Sequence, residues 1–260
     1  MLRCSASASR ASRALLSCVA SAAILLGASD AHAIRPFITD DARVVGEGHV
    51  QLETYWRRDR LTLQQWALPA VGPTEWLEIS MGAVHGLNKL GNTLDKPTYA
   101  IGGPLLQGKF LLRETEANKL PGVAVSVGGL APAGRGGFET PGWSGFSYIA
   151  LTQAFIKEDD FLIHANLGVS AIAAPGFDPA KITWGFGTQV ETLYNFHLIG
   201  EIFSGDPYVA GSGGAYQAGF RIIFDDHVQL DGTWGEGLWG DAPLPLWFSS
   251  GIRVVTHKLF

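Results

Sequence analysis

The sequence predicts an all-β protein, a transmembrane antiparallel up-and-down β-barrel of about 12 strands with both termini in the periplasm. Three observations lead to this fold class: a secretory signal at the amino terminus, period-two apolar alternation along the rest of the chain, and a final strand that ends on an aromatic residue. A closed barrel suits such a chain because every backbone polar group pairs with a neighbouring strand inside the membrane.

The amino terminus has the layout of a secretory signal peptide. Three arginines precede an apolar run over 14–27, and Ala31-His32-Ala33 forms an A-x-A cleavage site. Cleavage there removes both cysteines of the chain. We therefore divide the sequence into a signal peptide, an amino-terminal segment that we expect to plug the lumen, and an outer-membrane barrel, at 1–33, 34–46 and 47–260. The expected location is the outer membrane of a Gram-negative bacterium.

Composition narrows the classes of function. Only 17% of residues are charged, glycine is frequent with 33 residues, and the formal net charge is −5. Mild acidity argues against a nucleic-acid partner. The longest uncharged stretches, 140–156 and 161–177, are interrupted by proline, glycine and polar residues, whereas a membrane-spanning helix needs about 20 apolar residues.

Period-two runs bounded by turn residues cover the exported chain. They predict strands at 48–58, 60–68, 74–84, 105–114, 121–130, 146–156, 161–172, 182–194, 196–204, 215–224, 227–235 and 246–260. In the first of them, apolar Leu52 and Trp56 alternate with polar Glu53 and Arg57, which is typical of a strand between lipid and a wet lumen.

The connections between these strands alternate in length, which supports a barrel with long extracellular loops and short periplasmic turns. The long ones are 85–104, 131–145, 173–181, 205–214 and 236–245, and the short ones are 69–73, 115–120, 157–160, 195 and 225–226. The turn at 58–60 is the exception, because a short connection stands where a long loop is usual.

Aromatic residues near the predicted strand ends indicate the girdles that barrels place at the membrane interfaces, with a β-sandwich core as the alternative. They are Trp56, Trp66, Trp76, Tyr148, Trp184, Tyr194, Phe203, Tyr208, Trp234, Trp239 and Trp247.

The final strand is the expected seam of the barrel. Its apolar face carries Phe248, Ile252 and Val254, while Arg253 and His257 are expected to face Glu53 and His49 or their neighbours. The terminal Phe260 resembles the signal by which barrels are handed to the barrel-assembly machinery, so that machinery and outer-membrane lipid are the expected partners besides a small-molecule solute.

Ten charged residues fall on the inward faces and are the candidates for pore lining and selectivity: Glu53, Arg57, Glu78, Lys109, Arg113, Glu191, Glu201, Arg221, Asp231 and Arg253. They either sort solutes by charge or form a salt-bridge network that braces a narrow barrel. Four histidines share these faces: His49, His164, His197 and His257. Before the first strand, a segment without periodicity is the expected constriction, with Arg35, Phe37, Asp40 and Asp41.

Enzyme and metal signatures are weak. The histidines show no H-E-x-x-H spacing, Ala124-Val125-Ser126-Val127-Gly128 lacks the first glycine of a nucleophile elbow, and no cofactor is expected. The main hypothesis is therefore a passive outer-membrane channel for small solutes. The alternatives are a closed structural or adhesion barrel whose outer loops bind a partner and, third, an outer-membrane lipid-modifying enzyme with a Ser/His pair on the outer wall.

The opening stretch from Arg35 to Ala42, together with 51–54, resembles the start of the meta-pathway phenol-degradation family, whose members are also labelled outer-membrane transporters. Shorter matches are 108–110, 130–134, 199–203, 229–232 and 249–251. The resemblance covers essentially the whole exported chain. It implies a twelve-stranded barrel similar to the secretion channel of the bacterial functional-amyloid system, with an inner segment that gates the lumen, and solutes that are aromatic.

Overall fold

The computed structural model describes residues 38–89, 97–157, 160–176, 180–206, 212–225, 227–240 and 243–260. The predicted signal peptide, Arg35, Phe37 and Tyr208 lie outside the described residues. The structure is a closed barrel of twelve antiparallel strands: β1 (Val50–Asp59), β2 (Thr62–Thr74), β3 (Leu77–Asn88), β4 (Thr98–Arg113), β5 (Gly122–Leu130), β7 (Trp143–Phe155), β8 (Phe161–Ala173), β9 (Ala180–Leu193), β10 (Phe196–Ser204), β11 (Gly214–Asp225), β12 (Val228–Trp239) and β13 (Trp247–Val255).

Each barrel strand pairs with the next along the chain, and β1 pairs with β13 to close the wall. A two-residue strand, β6 (Gly134–Arg135), pairs with β4 in the connection that follows β5, and a single 3-10 turn covers Gly136–Phe138. None of the described residues belongs to a helix long and apolar enough to cross a membrane. The predicted antiparallel barrel and its number of strands are confirmed.

Three predicted strand boundaries were wrong by more than four residues. The second strand runs to Thr74 rather than 68, so residues 69–73 belong to the strand and the turn lies at 75–76. The final strand ends at Val255 rather than 260. Val255 pairs with Gln51, and β1 begins at Val50, so the residues after Val255 have no partner strand to pair with. There, Leu259 N donates to Gly48 O at 2.7 Å. The fourth strand begins at Thr98 rather than 105, because Gly103 and Pro104 form an irregularity inside the β3–β4 ladder instead of a loop.

The connections divide the barrel into two ends. At the short-turn end, strands are joined through 75–76, 114–121, 156–160, 194–195 and 226–227; at the long-loop end, through 89–97, 131–142, 174–179, 205–213 and 240–246. The β1–β2 turn at 60–61 lies at the long-loop end and is short, as the sequence predicted. Asp59 stabilises it by accepting from the backbone of Leu61 and Thr62 at 2.6 and 2.7 Å.

The outward faces are apolar and exposed, as expected of a wall that contacts lipid. Of the aromatic residues assigned to girdles, six are exposed: Trp56, Trp76, Trp184, Tyr194, Trp234 and Trp239. Four others are buried, so their assignment to a girdle was wrong: Trp66, Tyr148, Phe203 and Trp247. These four alternate with outward residues on their strands, and their rings fill the lumen.

Candidate functional site in the barrel lumen

The lumen is filled by charged and polar side chains together with the chain that precedes β1. Eight of the ten predicted lining residues are buried: Glu53, Arg57, Glu78, Lys109, Glu201, Arg221, Asp231 and Arg253. Arg113 is exposed at the end of β4, where its Nε donates to Pro121 O at 2.7 Å. Glu191 is partly exposed and accepts from the Asn195 backbone at 2.8 Å. Both therefore stabilise short turns at the rim, because each sits at the end of its strand.

Residues 38–46, which we call the inner segment, lie against the inward faces of strands on several sides of the barrel. Thr39, Asp41, Ala42 and Val45 are at most 1% exposed. An irregular segment buried in this way must find partners for its backbone N–H groups. The barrel wall supplies them, as the following contacts show.

Two wall carboxylates bind the backbone of the inner segment. The two oxygens of Glu201 accept from Ile38 N and Thr39 N, both at 2.7 Å, and Gln217 Nε2 donates to Glu201 Oε1 at 2.5 Å. At the other end of the segment, Glu78 Oε2 accepts from Val45 N at 2.9 Å. The wall therefore holds the segment at both ends by charge-assisted hydrogen bonds, which are stronger than neutral ones.

Asp40 joins the middle of the segment to three strands. Its carboxylate accepts from Lys109 Nζ at 2.9 Å and from the Tyr148 hydroxyl at 2.8 Å. Its backbone is paired with the Asn166 side-chain amide, which accepts from Asp40 N at 2.7 Å and donates to Asp40 O at 2.9 Å. A buried ammonium and a carboxylate in contact compensate part of each other's desolvation cost.

Asp41 is fully buried and belongs to a second cluster. Its carboxylate accepts from Arg43 Nε at 2.7 Å and from the Thr152 hydroxyl at 3.0 Å. The hydroxyl oxygen of Thr152 accepts from Ala42 N at 2.9 Å and lies 3.0 Å from His164 Nδ1. Burial alone would raise the pKa of Asp41, but the nearby positive charges, Arg43 foremost, outweigh it and hold the pKa well below its usual range. Asp41 is therefore ionised at neutral pH.

Two wall glycines make room for the inner segment. A Cβ on Gly72 would lie 1.8 Å from Gly46 O, and a Cβ on Gly185 would lie 2.3 Å from Thr39 Oγ1. Real Cβ atoms do not approach other atoms so closely, so a side chain at either position would displace the segment or the wall. Glycine on an inward face was a signal of close packing that the sequence contained.

Two further arginines of the lumen, Arg253 and Arg221, bond to side chains of the wall. Glu53 and Arg253 face each other across the β1–β13 seam, with Nε and Oε1 4.0 Å apart and Gln51 bonded to both. This pairing confirms the predicted contact at the seam. Arg221 donates to Gln189 Oε1 at 2.5 Å.

Several histidines form hydrogen bonds or ring contacts inside the barrel and at its short-turn end. His49 Nδ1 lies 2.8 Å from Thr256 O, and the rings of His227 and His257 are 4.4 Å apart with edge-to-face geometry. Within the described part of the chain, no group of three or more metal-ligating side chains is arranged to hold an ion.

The space left around the inner segment is unequal at its two ends. Toward the long loops lies an open cavity of about 310 Å³ with a mainly apolar lining that includes Trp66, Leu105, Leu130 and Phe138. Polar side chains, among them Arg57, Gln64 and Glu139, also border it. Beside Ile38, a gap of about 30 Å³ remains against β1 and β11 to β13. One water needs about 10–15 Å³ of such space, so the gap beside Ile38 holds at most a few waters.

Arg57 lies between these two spaces. Its guanidinium stacks over the Trp247 ring, 4.3 Å from the centroid, and NH1 is 3.8 Å from Asp206 Oδ2. The floor of the large cavity is therefore a cation that is partly neutralised and held by an aromatic face.

No protein-family model matches this chain, and no curated protein matches it in sequence. The motif resemblance therefore gains no support from sequence comparison. The fold is nevertheless shared with solved outer-membrane barrels. An outer-membrane channel from Pseudomonas putida F1 matches with a TM-score of 0.62 and 10% identity, over 86% of this chain and 99% of that chain.

Two further structures extend this comparison. The KdgM porin in complex with disordered oligogalacturonate matches with a TM-score of 0.55 and 8% identity, over 80% of this chain and 99% of that chain. Outer membrane phospholipase A from Escherichia coli covers 92% of this chain and 97% of its own at 14% identity, but its TM-score of 0.45 is too low to support an argument. At these identities the likeness to the first two shows the outer-membrane barrel fold alone.

Proposed function

We propose that this protein is a passive outer-membrane channel for small solutes, in which the inner segment is the constriction and the charged wall sets selectivity. The observation that carries the proposal is the attachment of the inner segment. It is bound through individual hydrogen bonds to Glu78, Lys109, Thr152 and Glu201 of the wall, and no barrel strand includes it. A part held this way can leave the lumen without opening the β-ladder.

The large cavity favours small apolar solutes, including aromatic ones, because most of its lining is apolar. Its volume of about 310 Å³ is enough for one benzene, since a protein cavity of about 150 Å³ binds benzene. A solute would collect there from the long-loop end, which we place on the outside of the cell. It would then pass the lumen charges once the inner segment moves.

The test is ion conductance in planar bilayers, measured on the exported chain and on a variant that lacks residues 34–45. We expect small or rare currents from the full chain and a stable, larger conductance from the variant. Both proteins must migrate as folded barrels in unheated gels. If neither protein conducts, the channel proposal is wrong.

A closed structural barrel with partner-binding outer loops is the second candidate, and the pairing of buried lumen charges favours it. Neutralising Lys109 and Glu201 in the shortened variant separates the two. In a channel these changes shift the ratio of cation to anion permeability, because the two groups then face the solution in the pore. In a closed barrel the shortened variant carries no current, with or without these changes. Neither candidate uses a catalytic residue.

A further inference from the structure

Four basic side chains gather at the long-loop rim of the wall. Arg58 lies near the end of β1, Arg60 in the β1–β2 turn, Lys89 after β3, and Arg135 in the short strand β6. All four are exposed. Within the described part of the chain, none of the four forms a salt bridge. Among the described residues, the positive charge of this cluster therefore has no acidic partner.

One of these cations, Arg58, lies within an otherwise apolar row on the outward face, and the other three border that row. The register places Phe248, Arg58, Leu63, Leu87 and Tyr99 side by side on five adjacent strands. Phe248, Leu87 and Tyr99 are 61%, 41% and 49% exposed. Arg58 is thus flanked by apolar side chains.

At the far end of the row, the Arg135 guanidinium lies 5.6 Å from the centre of the Tyr99 ring. Arg60 and Lys89 lie one step farther toward the rim, and Lys89 N donates to Leu61 O at 2.9 Å. The arrangement is an apolar strip below a rim of cations.

The acids nearest to the cluster point elsewhere. Asp59 uses its carboxylate to accept from the backbone of Leu61 and Thr62, and Glu139 borders the large cavity. At the short-turn rim, by contrast, two exposed lysines are paired: Lys119 with Glu116 and Lys258 with Glu47. Among the described residues, four cations without a salt bridge therefore lie together in this sector of the long-loop rim.

We propose that this surface binds a phosphorylated, multiply acylated glycolipid of the outer leaflet, with its phosphates on the four cations and its acyl chains along the apolar row. A lipid surface is the natural occupant of an outward barrel face, and anionic phosphate complements unpaired guanidinium and ammonium groups. From Arg58 on β1 to Tyr99 on β4 there are three strand spacings, about 14 Å, which is room for two phosphates on one disaccharide.

The proposal is independent of transport, but it requires the long-loop end to face the outer leaflet. Its test is binding of fluorescent lipid A to the purified exported chain in neutral detergent micelles. We compare it with the double variants Arg58→Gln/Arg60→Gln and Lys89→Gln/Arg135→Gln. A surface cation contributes about 1 kcal/mol toward an anionic lipid, so each double variant should bind about tenfold more weakly or worse. The control Lys119→Gln/Lys157→Gln, at the opposite rim, should bind as the parent does.

Two further probes identify the ligand. Lipid A stripped of its phosphates should bind weakly to every protein, and phosphatidylglycerol at equal phosphate concentration should not compete effectively. Equal binding of the dephosphorylated lipid, or full competition by phosphatidylglycerol, would overturn the proposal. So would an equal loss in the control variant. Conductance of the same proteins reports on the channel separately, so failure of one proposal leaves the other measurable.

Discussion

Replacing Asp40 by asparagine should release the inner segment. The carboxylate of Asp40 is the counter-ion of Lys109, whose side chain is 3% exposed, at 2.9 Å. Asparagine keeps the shape and removes the charge, so the buried Lys109 ammonium loses the carboxylate in contact with it while the segment is in place. Removing one member of a buried pair costs about 3–5 kcal/mol. Because Lys109 regains water when the segment leaves, the cost falls on the inserted state alone.

About 3 kcal/mol changes a two-state ratio about a hundredfold, which we expect as the increase in open-to-closed ratio in single-channel recordings of Asp40→Asn. The double variant Asp40→Asn/Lys109→Met should open less, since no charge then remains unpaired. The control Glu47→Gln breaks an exposed pair with Lys258, worth less than about 1 kcal/mol, and should change the ratio little. Identical recordings from Asp40→Asn and the control would refute this reasoning.

Two more predictions concern the equilibrium between the inserted and withdrawn positions of the inner segment. Gly72→Ala places a Cβ 1.8 Å from Gly46 O, so it should raise conductance or lower the melting temperature. Gly200→Ala should do neither, because the nearest atom to its Cβ is 3.9 Å away. Equal behaviour of the two variants would contradict the packing argument. The lowered pKa of Asp41 makes protons favour the withdrawn state, so conductance should rise as the pH falls below about 4, where an ordinary aspartate begins to protonate. Asp41→Asn should conduct at neutral pH and lose that acid dependence, and a rise already at pH 6 would show that another group titrates.

Much of the fold could be predicted from the sequence because a barrel repeats one local rule. Each strand alternates lipid-facing and lumen-facing residues, so inward Glu53 and Arg253 could be placed from period two alone. The rule predicts less where the same residue types occur both in loops and in irregular strands. Gly103 and Pro104 look like a loop, but here they form an irregularity within a ladder.

The contacts within the site were harder to predict from the sequence. Asp40 and Asp41 stood out in the sequence as charges in a segment without periodicity, which indicated a constriction. Their partners Tyr148 and Thr152 did not, because these residues belong to strands more than a hundred residues away. Period two says which face a residue occupies, and only the closed barrel says which inward residues meet.

The two acids that hold the ends of the inner segment show how its position is made all-or-none. Glu78 and Glu201 are buried, and the donors they receive from the inner segment are backbone N–H groups rather than basic side chains. While the segment is inserted, its N–H groups and these carboxylates satisfy each other. Partial withdrawal would leave both sides buried and unpaired, and each such group costs about 1–3 kcal/mol or more when charged. Complete withdrawal lets water replace every lost contact at once. Intermediate positions of the inner segment therefore have the highest free energy. We expect the lumen to alternate between a constricted and an open state rather than widen gradually.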